Sequence, residues 1–529
     1  MHGLIARLGP SGLRIDGPRA NAPTVVTDVR SPDGALAGAV YGPVSSREAE
    51  SLVTRLSLGG DPDGPDVPWM AVARFGSDGL AASASMMLPS GLFWSTADRE
   101  LVVSTDPVSA TANPRVDPKF ISEYAQGRPA PLASPFIGVA RETAGSTVAW
   151  AHAGATPSRH VWCGPSAWAD PTLEGPEALL TYVDTFDGAV AELVGRAGPI
   201  VTTVSGGLDS TFVAAALARA ASERLPVRGL VYAPLPEAMF ESDADETALA
   251  TLMADAYPDR LSVERVVNTD LVRPLASAAQ MSRRAGVPTF NPANQPWLTR
   301  MREIAAGAGA IMWFVGSNGN AAFSYHHPYA ADYYLRRGRL GEVRRMARDG
   351  GRRPRVLGPL RRQYLSREAD GSTHMDRQEY LRWLARSVTG LPAAGNPAAM
   401  AGVLMADPFA SRAVIEVAAS ITPTEWAHGE VARGFARRAG AGRVPDAIRL
   451  RTGRGLQGRD AWFVIRNDRD DYRDRVAALH GVAGLEGVDQ PAIAAQVAAW
   501  PWGEQRGPQW QEQVAVDRLL GLAEFASIW

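Results

Sequence analysis

The segment PIVTTVSGGLDSTFVAAALARA, residues 199–220, constrains this chain more than any other. Its apolar start reads as a strand, and the alanine-rich stretch from Ser210 reads as a helix. Between them stand two glycines and one acid among small hydroxyls. In an open α/β sheet, ligands bind beyond the carboxyl ends of the strands, which is where Ser205, Gly206, Gly207, Leu208, Asp209 and Ser210 fall. Gly206 and Gly207 let the backbone approach a ligand closely and reach positive φ. The first amides of the helix converge on an anion, with the positive end of the helix dipole behind them. Ser205 and Ser210 can add hydroxyl donors. Asp209 would repel a bare phosphate, so its presence suggests a Mg2+ ion between carboxylate and phosphate oxygens. A plainer reading leaves Asp209 as a favourable helix-start charge.

The surrounding pattern says what kind of sheet carries this turn. PIVTTV, a helix from Ser210, VRGLVYA, a helix from Asp243, LSVERVV, a helix near Leu271 and AIMWFVG alternate along the chain. That alternation predicts an α/β fold with a parallel sheet covered by helices on both faces. Just upstream, PEALLTYVDTFDGAVAELVGRAG places Leu179, Leu180, Val183, Phe186, Val190 and Leu193 on one helical face. Beyond about residue 325 the pattern is helical to the end, interrupted by an arginine-dense stretch at 336–362. Residues 1–165 differ. TVVTDVR, LAGAVYG, WMAVARF, GLAASASMML, GLFWST, LVVSTD and STVAWAH read as short strands, and SSREAESLVTRL is the one clear helix. A β-rich domain over 1–165, a turn-rich linker at 163–177 and a second domain over 175–529 follow.

Bulk properties exclude several classes. A chain of 529 residues is too long for one core. Its net charge of −2 gives no basic field to draw it to nucleic acid or membrane, so neither is an expected partner. No apolar run reaches the roughly 20 residues of a membrane span, and no secretory signal is apparent, so a cytoplasmic location is expected. Cys163 is the single cysteine, which rules out an internal disulfide and cysteine-based zinc sites. Lys119 is the only lysine.

The string S-G-G-L-D-S is the signature of the PP-loop, or ATP-pyrophosphatase, enzymes, and the layout resembles asparagine synthetase B and its relatives. ESDADETALATLMADAY, WFVGSNGNAAFS, MADPFASRAVIEVAASITP and GFARRAGAGRVPDAIRLRTGRGLQGRDAW resemble later family segments in order. LVVSTDP, VDPKFISEYAQG and PFIGVARETAGSTVAW fit the N-terminal half more loosely. The resemblance implies an Ntn-hydrolase-like, glutamine amidotransferase-type domain, then a PP-loop domain with a helical C-terminal part. It implies ATP and Mg2+ as cofactors and cleavage of ATP to AMP and pyrophosphate. It places ATP and pyrophosphate on Ser205 to Ser210, Gly316 and Ser317, and Mg2+ on Asp209 and Asn320. Catalysis would fall to Asp209, Arg451 and Arg454, with Glu246, Asn318 and Asn320 toward the substrate.

Departures from the family narrow the activity. Glutamine-dependent members begin Met-Cys-Gly, whereas this sequence begins Met1-His2-Gly3, so ammonia from glutamine is not expected. The N-terminal domain would be a structural relic or a docking surface. Two branches that lack this cysteine, β-lactam synthetases and lasso peptide cyclases, adenylate a carboxylate for attack by an amine of the same molecule. A lasso-type macrolactam cyclase is the favoured reading, with a precursor peptide as substrate and a leader-binding protein and leader protease as partners. A β-lactam-type synthetase acting on a small amino-acid-derived substrate, an ammonia-dependent asparagine synthetase and a silent scaffold are the alternatives. Asn320 stands where relatives place a second acid. GVLMADPFAS lacks the acid and arginine found in many relatives near Leu404 and Ala406. The family's phosphate-contacting lysine would be replaced by Arg451 or Arg454, which hold charge but do not move protons. Asp243 and Asp245 are helix-start acids or ligand contacts, and His326 and His327 would lie near the substrate. Trp297 reads as core or pocket wall, and the 336–362 arginines as a solvated face, a docking surface or a lid.

Overall fold

The structure is a computed structural model that describes residues 4–10, 12–17, 26–88, 90–97, 99–126, 132–168, 170–238, 246–325, 338, 340–341, 380–381, 384–385, 402–426, 433–451, 457–458 and 460–529. His2, Asp243, Asp245, His326, His327, Arg454 and nearly all of 336–362 lie outside them.

The N-terminal region is built from two antiparallel sheets. Strands β1 (Ile5–Gly9), β2 (Gly12–Asp16), β7 (Leu92–Ala97), β8 (Glu100–Ser104) and β9 (Ala140–Glu142) form one, in the order β2-β1-β8-β7-β9. The other joins β3 (Val26–Arg30), β4 (Leu36–Tyr41), β5 (Met70–Phe75), β6 (Gly79–Ala84), β10 (Ser146–Trp150) and β11 (Ser158–Val161), in the order β11-β10-β6-β5-β4-β3. Small residues dominate the buried strand β6, GLAASA, and leave room for the bulky Trp69 and Trp150 nearby. Helix α1 (Ser46–Ser57) packs on this sheet through Ala49, Leu52, Val53 and Leu56, and opens with a capping box between Ser45 and Glu48. β1, β2, β9, β11 and helix α2 (Pro118–Ala125) are additional to the strands and helix read from the sequence.

The second half holds the parallel sheet. Its strands β12 (Ile200–Thr203), β13 (Val227–Tyr232), β14 (Leu261–Val266), β15 (Met312–Phe314) and β16 (Leu404–Ala406) run in the order β14-β13-β12-β15-β16, every pair parallel. Helix α4 (Leu208–Ala220) follows β12, and its Ala214, Ala215, Ala216 and Ala218 are all buried. Alanine suits a helix enclosed on several sides, because it adds little bulk and no side-chain entropy cost. Helix α3 (Gly175–Val194) precedes β12, α5 (Glu246–Ala256) and α6 (Pro274–Ala285) flank β14, and α7 (Gln295–Gly307) packs against Trp313 and Leu230 of the sheet. The short α8 (Gly319–Ala322) follows β15, and α9 (Arg412–Ser420) follows β16.

Two expectations change, and a third holds. Leu180 is 63% exposed, and Tyr182, fully buried, takes its place on the packed face of α3. The helix expected near Leu271 is α6, which begins at Pro274, whose ring fits the first helical turn; Leu271 itself sits just before it at φ +50. The stretch beyond 325 is not purely helical, since LMA at 404–406 completes the sheet as β16. Three residues are too few for an alternating pattern to show.

The two halves share one apolar core. Trp69, Met70 and Trp150 join Tyr182, Phe186 and Phe212 in a single cluster. Cys163 and Trp168, in the turn-rich 163–177 segment, are buried in it too.

Candidate active site

Four strand ends converge on the glycine turn. The Val204 amide donates to the Leu230 carbonyl, so the turn leaves the sheet level with the end of β13. The Ser205 and Ser210 hydroxyls bond each other at 2.7 Å, and they also take the Gly207 and Ser205 amides. They knit the turn, and since the two share one hydrogen between them, the other hydroxyl hydrogen is left to the weak 3.4 Å contacts of Ser210 or to a ligand. Neither glycine adopts positive φ; Gly207 sits at φ −92. Gly206 is needed for space, because a Cβ there would lie 2.5 Å from the Leu249 side chain and 2.7 Å from Arg451 Nη1. Leu208 points into the core. Gly207 offers α4 no side-chain cap, so the first amides of that helix keep their capacity for an anion.

Asp209 sits in the first turn of α4. Burial pushes its carboxyl up to about 6, against the pull of the Ser324 hydroxyl and the Arg433 guanidinium. Its Oδ1 is sealed from solvent and has no hydrogen-bond partner among the described residues. The loop after β15 packs directly on it. A Cβ on Gly319 would lie 2.6 Å from the Asp209 carboxylate, and one on Gly316 would lie 3.1 Å from the Asp209 carbonyl carbon. Ser317 is exposed in that loop.

The second acid is Asp407, which sequence reasoning passed over. It follows β16, is 2% exposed, and burial, with Asp209 facing it, pushes its carboxyl up to about 7. One oxygen accepts from the Asn318 amide at 2.8 Å and from Asn318 Nδ2 at 3.0 Å; the other takes the Phe409 amide. Asp407 thereby orients the Asn318 carboxamide, whose Oδ1 is buried and unpartnered among the described residues. Asn320, the expected Mg2+ ligand, is exposed, and its oxygen accepts from Arg433 at 3.4 Å. Asn318 is thus the buried amide of this loop, next to the Gly319 that abuts Asp209, and Asn320 is the exposed one. The only local trace is LMAD, an acid directly after an apolar run too short to read as a strand.

Arg451 comes to the turn from the other side. Its Nη1 donates to the Gly206 carbonyl at 3.4 Å and lies 3.7 Å from Glu246, while Nη2 is buried without a partner among the described residues. Burial raises the Glu246 carboxyl, and Arg451 offsets part of that. Arg437 aims this segment by donating to the carbonyls of Arg449 and, at 2.8 Å, Arg451. Arg451, Glu246 and Asp209 thus meet at the glycine turn, which their sequence spacing could not show.

The donor set fits the expected cofactors. Asp209 Oδ1 and Asn318 Oδ1 are hard oxygens left without partners, which suits Mg2+, an ion commonly held by one or two carboxylates plus phosphate oxygens. Among the described residues no three His, Cys, Asp or Glu side chains cluster as a protein-only metal cage. Uncapped helix amides and Arg451 Nη2 suit a polyphosphate.

A parallel sheet with this turn at a strand's carboxyl end defines a nucleotide-binding domain of PP-loop type. A family model described as asparagine synthase matches residues 181–520, more than half of the chain, and the chain belongs to that family. Its members are ATP-dependent ligases that form C–N bonds, generally with Mg2+. No curated protein matches the chain individually.

Proposed function

We propose that the chain adenylates a substrate carboxylate, releasing pyrophosphate, and lets an amine of the same molecule displace AMP. The observation that carries this reading is that two buried charged-group atoms at the glycine turn, Asp209 Oδ1 and Arg451 Nη2, lack partners among the described residues. ATP supplies the leaving group that makes a carboxylate reactive toward an amine. Asp209 and the Asp407-oriented Asn318 hold Mg2+, and Arg451 and the α4 amides neutralise charge that builds on the departing pyrophosphate. Arg454, outside the described residues, is a second candidate for that role. Gly316 and Ser317 border the nucleotide, and Glu246 fixes Arg451. Holding amine and acyl-adenylate in near-attack geometry is worth roughly 7–11 kcal/mol.

Within this class the favoured substrate is a precursor peptide closed into a lasso-type macrolactam, with a leader-binding protein and a protease as partners. The cysteine content supports a reaction without glutamine-derived ammonia. Cys163 is 3% exposed, and burial raises its thiol to about 11, so it supplies no thiolate. The N-terminal sheets are then an Ntn-type relic. No described helix is long and apolar enough to cross a membrane. Pyrophosphate release is the test, measured with precursor peptides and with small β-amino acids. Release with a peptide that loses one water in mass is the expected result. Release only with a small acid would move the assignment to a β-lactam-type synthetase, and no release with any acid would leave a silent scaffold.

A further inference from the structure

Asp66 lies in the N-terminal region, between α1 and β5, yet its carboxylate bonds across to the other half of the molecule. One oxygen accepts from the Arg412 amide at 2.9 Å; the other accepts from the Ser411 hydroxyl and from the Ala413 amide at 3.2 Å. These are the N-cap and first two residues of α9. The helix already has its own cap, since Ser411 Oγ takes the Val414 amide. Ser411 leaves the Arg412 and Ala413 amides unmet, and Asp66 supplies an acceptor to both from a distant segment where water or a local side chain would serve. This costs the burial of a carboxylate, whose pKa burial raises.

What this contact gains is placement. The turn Asp407–Ser411 runs straight into α9 and is closed by the Ala410 amide on the Asp407 carbonyl at 2.8 Å and the Ser411 amide on the Pro408 carbonyl at 3.2 Å. At its start, Asp407 grips Asn318 through two hydrogen bonds. Asn318 opens the turn of α8, where Gly319 abuts Asp209. A continuous path of hydrogen bonds and close packing therefore runs from Asp66 through Ser411 and Asp407 to Asn318 and Asp209.

We infer that Asp66 is a positioning residue for the nucleotide site: the N-terminal region, which has no thiolate chemistry of its own, holds the 407–411 turn in register and so fixes Asn318 beside Asp209. This rests on Asp209 and Asn318 holding Mg2+ with ATP. A second contact between the same two halves serves as a control. The Tyr124 hydroxyl, in α2, donates to the Pro288 carbonyl at 3.1 Å, outside the path from Asp66 to Asp209.

The experiment is calorimetric binding of ATP, with Mg2+ and separately with EDTA, to the full chain and its variants. Asp66→Asn replaces an acceptor with a donor facing backbone amides. It should weaken Mg2+-ATP binding about 10-fold, the lower end for groups that orient metal ligands, and change metal-free ATP binding less than about twofold. Ser411→Ala keeps both amide contacts and should give a smaller loss of the same kind, which covers poor folding of the Asp66 variant. Tyr124→Phe, which removes the other contact, should leave both affinities within about twofold. Asp66→Asn added to Asn318→Ala should weaken Mg2+-ATP binding no further than Asn318→Ala alone, because coupled residues are not additive. Unchanged binding by Asp66→Asn, equal loss with and without Mg2+, equal loss in Tyr124→Phe or full additivity with Asn318→Ala would each overturn the inference. Failure of the unsubstituted protein to bind Mg2+-ATP would overturn the site reading itself, and is seen before any variant is made.

Discussion

The two halves of this molecule bury charge in opposite ways. In the N-terminal sheets the acids taken from water are held: Glu142 accepts from Arg159 at 2.6 Å and Trp94 at 3.1 Å, and Asp106 takes the Ser109 amide at 2.8 Å. The buried side-chain atoms left without partners there are neutral, such as Thr105 Oγ1 and Trp150 Nε1. In the parallel-sheet half, Asp209, Glu246, Arg302, Arg438, Arg451 and Asp460 each keep a buried charged-group atom without a partner among the described residues, and three of the six, Asp209, Glu246 and Arg451, meet at the glycine turn. An unmet buried charge is costly. A protein bears that cost where a ligand completes the set, so the contrast separates a half built for stability from a half built to bind.

The largest effects that sharpen this contrast come from glycines. Gly319→Ala drives a methyl into the Asp209 carboxylate, and should reduce pyrophosphate release per folded molecule about 100-fold or more, alongside a loss of about 1–3 kcal/mol of stability by overpacking. Gly38→Ala in β4 drives a methyl into the Val72 carbonyl and against Val53. It should cost about 1–3 kcal/mol of stability by overpacking, with turnover per folded molecule unchanged. If the two variants exchanged these outcomes, the division of labour would be wrong.

Arg451→Ala comes next. It strands Glu246, and breaking a buried pair costs up to about 3–5 kcal/mol, here toward the low end because the pair is 3.7 Å apart. Melting should show that loss, and adding Glu246→Gln should restore the melting temperature without restoring ATP binding. Recovery of both would make Arg451 a purely structural residue.

The smallest effects are in pH. Asp517, buried with Tyr472 and Gln513, has its carboxyl pushed by burial from 3.8 up to about 7. The folded chain holds this proton where the unfolded chain has lost it, so the stability it contributes is full below about 4 and is lost as pH rises toward 7. Glu48 has the opposite sign. Arg196 lowers its carboxyl from 4.5 to about 2, so its contribution is present above about 4.5 and is lost as pH falls toward 2. Melting curves across pH should therefore flatten at the neutral end in Asp517→Asn and, more weakly because Glu48 is partly solvated, at the acid end in Glu48→Gln.

How much of this was legible in the sequence follows from the range of each signal. The β12–turn–α4 unit is local: strand, glycines, acid and helix lie within about twenty residues, and the sequence shows them in order. Most N-terminal strands were legible through apolar or alternating runs. Asp407 was not, because a three-residue strand carries no period, and its partner Asn318 is 89 positions away. Tyr182 was hidden by Leu180, since α3 buries a different arc than the leucines mark. Asp66 reads as a polar loop residue until the fold carries it to α9.

The central claim is that Asp209 holds a magnesium-bridged polyphosphate over the glycine turn. Isothermal titration of ATP into the protein and into Asp209→Asn, with and without Mg2+, tests it most directly. The account predicts that Mg2+ tightens ATP binding strongly in the unsubstituted protein and not in Asp209→Asn, while the variant melts at the same or a higher temperature because a buried charge has gone. Equal tightening by Mg2+ in both proteins would contradict it.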